Sequence, residues 1–250
     1  MSARPLAFVT GGARRVGAAI VDALARSGCD VVVHHHASVG EAEAVASRAR
    51  ALGVDASVWR QDLSDPGAVD VAAAELASGL PRLDVLVHNA SVYEPTPLGS
   101  LTPARALHIH AVNALAPLIL TRRLSGLLSA SPMRGGGSVV ALLDIHAMGR
   151  PRRDFSAYAM SKAALGEMVR SLARDLAPKV RVNGIAPGVV AWPESGPEAD
   201  ASFQGRYLDR VPLARAGSPE DAAGAVVWLA LGAPYVTGEI VRVDGGRSLA

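Results

Sequence analysis

Short, nearly unbroken apolar runs alternate along this chain with stretches whose apolar residues recur at helical spacing. L-A-F-V-T (6–10) reads as a first strand, and A-A-I-V-D-A-L-A-R (18–26) as a helix ending at Gly28. The glycine-rich turn T-G-G-A-R-R-V-G (10–17) lies between them. Further strands are predicted at 30–36, 54–59, 83–91, 138–144, 179–186 and 239–246. Helices are predicted over 42–52, from Ser64 or Asp65 with Pro66 to about Ser78, and from Thr102-Pro103 to about Ala130. Two more carry Tyr158 and Lys162 to about Ala177 and run from Pro219-Glu220 to about Leu231. Strands with continuous rather than alternating apolar residues are buried on both faces. The pattern therefore predicts an α/β fold: one doubly wound, seven-stranded parallel sheet with helices on both faces. No linker or fixed-period repeat divides residues 1–250, so a single domain is expected. The Pro-, Gly- and Ser-rich segment 191–217 is its candidate lid.

Composition narrows the class. A 250-residue α/β domain buries enough surface to hold without disulfides, and the one cysteine, Cys29, has no internal partner. This suits a reducing cytoplasm, and the N-terminal stretch M-S-A-R-P-L-A-F-V-T has no signal-peptide core. No run approaches the length of a membrane span. Net charge is only +2, with arginines scattered among acids, so nucleic acid is not an expected partner.

In open parallel sheets, ligands bind outside the carboxyl ends of the strands. The unusual polar features fall at those ends: the glycine turn, the His34–His36 run, Asp62, Asn89, Asp144 and Pro187-Gly188. Gly11 and Gly17 flank a turn that opens a helix N-terminus, a setting for a pyrophosphate. No acid closes the second strand, as a ribose-binding carboxylate would, and Arg14 and Arg15 stand nearby in the chain. A 2′-phosphate, hence NADPH, is expected. The three histidines alternate faces on a strand, so they do not converge on a metal. Tyr158 and Lys162 sit at i and i+4 on one helix face. Only Lys162 and Lys179 are lysines among 25 basic residues, which marks this ammonium as chosen. A cation beside a phenol lowers its pKa and makes it a usable acid.

Together these residues resemble the short-chain dehydrogenase/reductase family, with its Rossmann fold, over essentially the whole chain. The carriers are the glycine turn, D-L (62–63), H-N-A-S (88–91), Asn113, Y-A-M-S-K (158–162), R-V-N-G-I-A-P-G (181–188) and V-D-G-G (243–246). Two departures stand out. Arg15 replaces the middle glycine, and Asp144 stands near the place of the family's serine. Both resemble the pteridine reductase branch, as do N-A-S-V-Y-E-P-T-P-L-G (89–99) and D-I-H-A (144–147). The spacing from Asp144 to Tyr158 is one residue longer than in that branch, and V-V-A-W-P-E replaces the usual Thr after Pro187-Gly188.

The resemblance implies that Gly11, Arg14, Arg15, Val16 and Gly17 hold the cofactor pyrophosphate. Arg14, His36 and Ser38 take the 2′-phosphate, Asp62 and Leu63 the adenine, and Asn89 and Ala90 its ribose region. Pro187 and Gly188 lie by the nicotinamide. Lys162 binds the nicotinamide ribose and lowers the Tyr158 pKa, and Asn113 holds a water linking Lys162 to solvent. Tyr93 sandwiches a pterin, Arg15 and Ser91 bond its edge, and Trp192 closes over it. The implied reaction is hydride transfer to a C=N bond of a dihydropterin, with Tyr158 and Asp144 handling the proton. A carbonyl reductase acting on 3-oxoacyl thioesters or other ketones, and an NADP(H)-binding sensor without turnover, are the alternatives. The family also implies a homotetramer built on its two long helices.

Overall fold

The computed structural model describes residues 4–194 and 196–250. The first three residues of the N-terminal stretch, and Ser195 in the 191–217 segment, lie outside the description. In chain order the elements are β1 (Leu6–Thr10), α1 (Arg15–Arg26), β2 (Asp30–His35), α2 (Val39–Ala51), β3 (Ala56–Arg60) and α3 (Pro66–Gly79). Then come β4 (Val85–His88), α4 (Pro103–His110), α5 (Ala116–Ser129), β5 (Gly137–Leu142) and α6 (Ser156–Asp175). β6 (Val180–Pro187), α7 (Ala201–Leu208), α8 (Pro219–Val227) and β7 (Ile240–Val243) complete the order. All pairings are parallel, in the order β3-β2-β1-β4-β5-β6-β7.

Successive strand residues point to opposite faces, and both faces are covered. Ala7, Val9, Val31, Val33, Val85 and Val87 pack towards α1, α2 and α8. Phe8, Val32, Leu86, Val139 and Ala141 pack towards α3, α5 and α6. This two-sided burial is why the strands read as unbroken apolar runs. Leu120, Leu124 and Leu128 of α5 recur every fourth residue and are fully buried. Truncating one to alanine costs about 2–5 kcal/mol.

Helix starts follow their capping chemistry. Asp65 accepts from the Gly67 and Ala68 N–H groups ahead of α3, with Pro66 in the first turn. Ser218 and Asp221 form a reciprocal capping box on α8. The helix expected over Thr102 to Ala130 is interrupted. Residues 111–115 form a π-helical turn between α4 and α5, and Asn113 lies inside it. The strand order reverses direction between β1 and β4, and a large cleft runs along the carboxyl edge there.

Candidate active site

The glycine turn is built by tight backbone contacts. Gly11 takes a left-handed φ of 62°. A Cβ on Gly17 would lie 2.0 Å from the Gly11 carbonyl oxygen and 2.6 Å from Asn89 Nδ2. Asn89 Nδ2 donates to the Thr10 and Gly11 carbonyls at 3.1 and 2.9 Å, and Thr10 Oγ1 accepts from Asn89 N–H at 2.9 Å. His34 clamps the turn from β2. Its Nδ1 accepts from Gly11 N–H at 2.9 Å, and its Nε2 lies 3.0 Å from the Gln61 carbonyl, which makes Nε2 the protonated nitrogen. Burial pushes its pKa down to about 4 and keeps the ring neutral. The sequence hint of this role was parity: His34 shares a strand face with Val32 and Phe8, where an apolar residue belongs.

Arg15 holds a left-handed φ of 51°, which costs a non-glycine residue about 1 kcal/mol. This is the position at which the family pattern places glycine. Its Nη2 donates to the carbonyls of Ala191 and Trp192 at 3.0 and 2.8 Å. The expectation that Arg15 donates to a substrate edge is therefore not met in this conformation. It ties the turn to the start of the 191–217 segment. Arg14 lies 3.7 Å from Glu194 and 4.0 Å from Glu41.

Asp144 follows β5 and caps the next turn, accepting from His146 N–H at 2.7 Å. Its other oxygen accepts from Tyr158 Oη at 3.0 Å. Left-handed residues Gly149 and Asp154 turn the intervening loop, so the longer spacing still closes this contact. Lys162 follows one helical turn after Tyr158, as its spacing predicts. Its Nζ donates to the Leu142 carbonyl at 2.7 Å and lies 5.8 Å from the Tyr158 ring centre.

The expected lowering of the Tyr158 pKa is reversed. Burial, then the Asp144 charge and its hydrogen bond, push the phenol well above its ordinary 10.0. The charge that meets the hydroxyl is a carboxylate, while the ammonium is spent on a backbone carbonyl. Lys162 is itself pushed down to about 8 by burial, partly offset by Asp144.

Asn113 is held by its side-chain amide. Its Oδ1 accepts from Val92 N–H at 2.7 Å, and its Nδ2 donates to the Val92 carbonyl and Ser161 Oγ, both at 3.0 Å. The side chain thus fixes the Ser91–Tyr93 segment. Tyr93 packs 4.9 Å from Phe155 and edge-on to Tyr158 at 5.0 Å. Its hydroxyl donates to Glu198 Oε1 at 3.0 Å and accepts from Arg152, which also pairs with Glu198. Burial pushes the Tyr93 phenol up to about 12, with Arg152 opposing.

These groups surround a cleft of about 1110 Å³. Of the residues expected at the site, Gly11, Arg14, Arg15, Val16, Gly17, His36, Asp62, Leu63, Asn89 and Ala90 line it. So do Ser91, Tyr93, Asp144, Gly188 and Trp192. Tyr158 and Lys162 are buried just behind Asp144 and Tyr93, outside the lining. Ser38 and Pro187 do not line it either: Ser38 precedes α2 and Pro187 ends β6. The 191–217 segment contributes Glu198, Phe203 and Tyr207, and Trp192 packs edge-on to Tyr207 at 5.5 Å. Arg152 was marked by no motif; Arg247 lies in the V-D-G-G-R-S-L stretch (243–249) that resembles the pteridine reductase branch, and Glu198, Tyr207 and Arg210 lie in the segment expected to close over the substrate, none of them singled out because their partners lie on distant segments.

A family profile described as enoyl-(acyl carrier protein) reductase matches residues 11–248. Pteridine reductase 1 of Leishmania tarentolae is 32% identical across 98% of this chain and 96% of its own length. Galactitol 2-dehydrogenase of Rhizobium johnstonii is 36% identical across 96% of this chain and 93% of its own. Among solved structures, a blue fluorescent protein from a metagenomic library, in complex with NADPH, is similar with a TM-score of 0.87 at 34% identity, covering 97% of each chain. Matched over nearly its whole length, with the glycine turn at the switch point and Tyr158 and Lys162 on one helix face, the chain belongs to the short-chain dehydrogenase/reductase family.

Proposed function

We propose that this protein is an NADPH-dependent reductase delivering hydride to a C=N bond of a dihydropterin, such as dihydrobiopterin, dihydromonapterin or dihydrofolate. The observation that carries this reading is the 3.0 Å hydrogen bond from Tyr158 Oη to Asp144 Oδ2, with Asp144 facing the cleft. Reduction of a ketone builds negative charge on oxygen. A carboxylate 4 Å from such an oxyanion repels it by about 4 kcal/mol at an effective dielectric of 20, roughly a thousandfold in rate. A ring nitrogen that gains a proton builds no such charge. Asp144, which faces the open cleft, takes up a proton from solvent, passes it to the ring nitrogen as the hydride arrives and returns to carboxylate, held in place throughout by the Tyr158 hydrogen bond.

The glycine cradle fits a dinucleotide. The first turn of α1 has no acidic residue and no side-chain cap, so its N–H groups are free for a pyrophosphate. Arg14 and His36 line the cleft where a 2′-phosphate calls for cations, and Ser38, two residues after His36, precedes α2 outside that lining. When bound, the nicotinamide supplies the hydride. Ser91 and Tyr93 form one wall of the substrate end, and Trp192 the other. The identity to galactitol 2-dehydrogenase favours a second reading, carbonyl reduction. We further propose a cytoplasmic homotetramer, for which Leu107, Leu118 and Met160 leave exposed apolar side chains on α4, α5 and α6.

NADPH oxidation measured with dihydrobiopterin, dihydromonapterin and dihydrofolate, beside a 3-oxoacyl thioester, tests the reading. Turnover on a pterin is expected. Turnover on the thioester alone replaces it with the carbonyl reading, and NADPH binding without any turnover leaves a sensor.

A further inference from the structure

The lid end of the cleft holds a charged group that proton and hydride transfer leave unused. Arg247, in the short turn after β7, lines the cleft while only 6% exposed. Its Nε is buried without a hydrogen-bond partner among the described residues. The guanidinium lies 5.2 Å from the centre of the Tyr207 ring, which also lines the cleft and is 8% exposed. The Tyr207 hydroxyl approaches the Val189 backbone without completing a hydrogen bond of normal geometry. Buried polar atoms left in this state call for a reason.

The charges nearby are mostly of one sign. Arg210, in the segment after α7, lines the same end. Arg150 donates to the carbonyls of Arg247 and Ala250, and Arg247 Nη1 donates to Ala250 O at 3.2 Å. Burial and the like charges of Arg150 and Arg210 hold the Arg247 pKa below its usual range. Asp244 is the opposing carboxylate, and its oxygens already accept from Gly246 and Ser248 N–H at 2.9 and 2.8 Å. Three guanidinium groups, Arg150, Arg210 and Arg247, gather here around two acceptors that are already occupied, Asp244 and the last residue, Ala250. Such a group is stabilised when an anion joins it. Asp144, Tyr207, Arg210 and Arg247 all line the same cleft, which joins the reacting end to this cluster.

We infer that Arg247, Arg210 and Tyr207 form an anion-reading subsite, so that the preferred substrate carries a carboxylate or phosphate on the substituent remote from the reduced ring. The inference rests on the pterin reading and narrows it. Dihydrofolate offers carboxylates, dihydroneopterin phosphate offers a phosphate, and dihydrobiopterin offers neither.

Steady-state NADPH oxidation is measured on the full chain with these three substrates, for wild type, Arg247→Gln and Arg210→Gln. At least one anionic pterin is expected to exceed dihydrobiopterin in kcat/KM by about tenfold, and each variant to cut that ratio by about tenfold, chiefly through KM. Preference for dihydrofolate assigns the subsite to carboxylate, and preference for the ester to phosphate. Equal kcat/KM for neutral and anionic pterins in the wild type, or a ratio unmoved in the variants, overturns the subsite and leaves the pterin reading intact. Exposed Arg210 carries the test alone if Arg247→Gln fails to fold. No oxidation with any pterin overturns the functional reading, and the subsite with it.

Discussion

Replacing Lys162 by methionine keeps the length of the side chain and removes its charge. Burial sets the ammonium pKa at about 8 against an ordinary 10.5. That gap corresponds to about 3.4 kcal/mol acting against the folded state. Below pH 8 the lysine is charged in folded and unfolded chains alike, and the full cost applies. Between pH 8 and 10.5 the folded chain releases the proton first, so the unfolded chain binds more protons and stability rises with pH. Above 10.5 the cost is gone. The Nζ bond to the Leu142 carbonyl offsets part of it, by about 1.5–3 kcal/mol for a charged donor. At pH 7 the variant is therefore expected to be about 0–2 kcal/mol more stable than wild type, and inactive. Urea unfolding of both cofactor-free proteins, at one protein concentration from pH 7 to 10.5, reads the difference. Tyr158 titrates in both, and its raised pKa lowers their stability together above pH 10. The wild type should gain about 3 kcal/mol on the variant across that range. Parallel stability curves would refute the claim that burial burdens this ammonium.

Three other substitutions probe separate contacts. Asp144→Asn keeps an acceptor for Tyr158 and removes the charge, so the Tyr158 phenol is expected to ionise at a lower pH than in wild type, read by ultraviolet difference titration; an unmoved titration counts against the Coulomb argument. Gly17→Ala drives a methyl into the Gly11 carbonyl, and a loss of about 2–4 kcal/mol in thermal stability with a cofactor affinity reduced about 100-fold is expected by calorimetry. An affinity within twofold of wild type would show that the turn is not the phosphate cradle. Glu198→Gln leaves the Arg152 guanidinium uncompensated beside Tyr93, and KM for the pterin is expected to rise about tenfold with little change in NADPH Kd; equal loss of both would mean a general collapse of the lid.

Pattern alone reached the sheet because each strand is apolar on both faces and each helix shows its period. The Tyr158 and Lys162 pair was legible for the same reason, since both lie on one element. The Asp144 contact was legible only as a candidate, because a loop of unknown path separates it from Tyr158. The direction of the Tyr158 pKa was misread. Spacing places the ammonium on the right helix face, but only the fold shows it turned to Leu142 while a carboxylate meets the phenol. Arg152, Glu198 and Tyr93 lie on three segments far apart in the chain, and nothing in local sequence joins them. The π turn at 111–115 uses ordinary helix-forming residues, so its extra width leaves no compositional trace.

Asn113 is, in effect, a peptide group displaced onto a side chain. Its amide meets both the N–H and the C=O of Val92, the pairing that a neighbouring strand would supply. Aspartate lacks the donor and serine lacks the reach, so the position admits little else. The wall carrying Ser91 and Tyr93 is pinned in this way from the α4–α5 side, through bonds that owe nothing to the lid. The two walls of the cleft therefore differ in evolvability. Substitutions in the 191–217 segment and in the turn after β7 change what the cleft accepts without touching these bonds. The wall beside Asp144 keeps its register while they do.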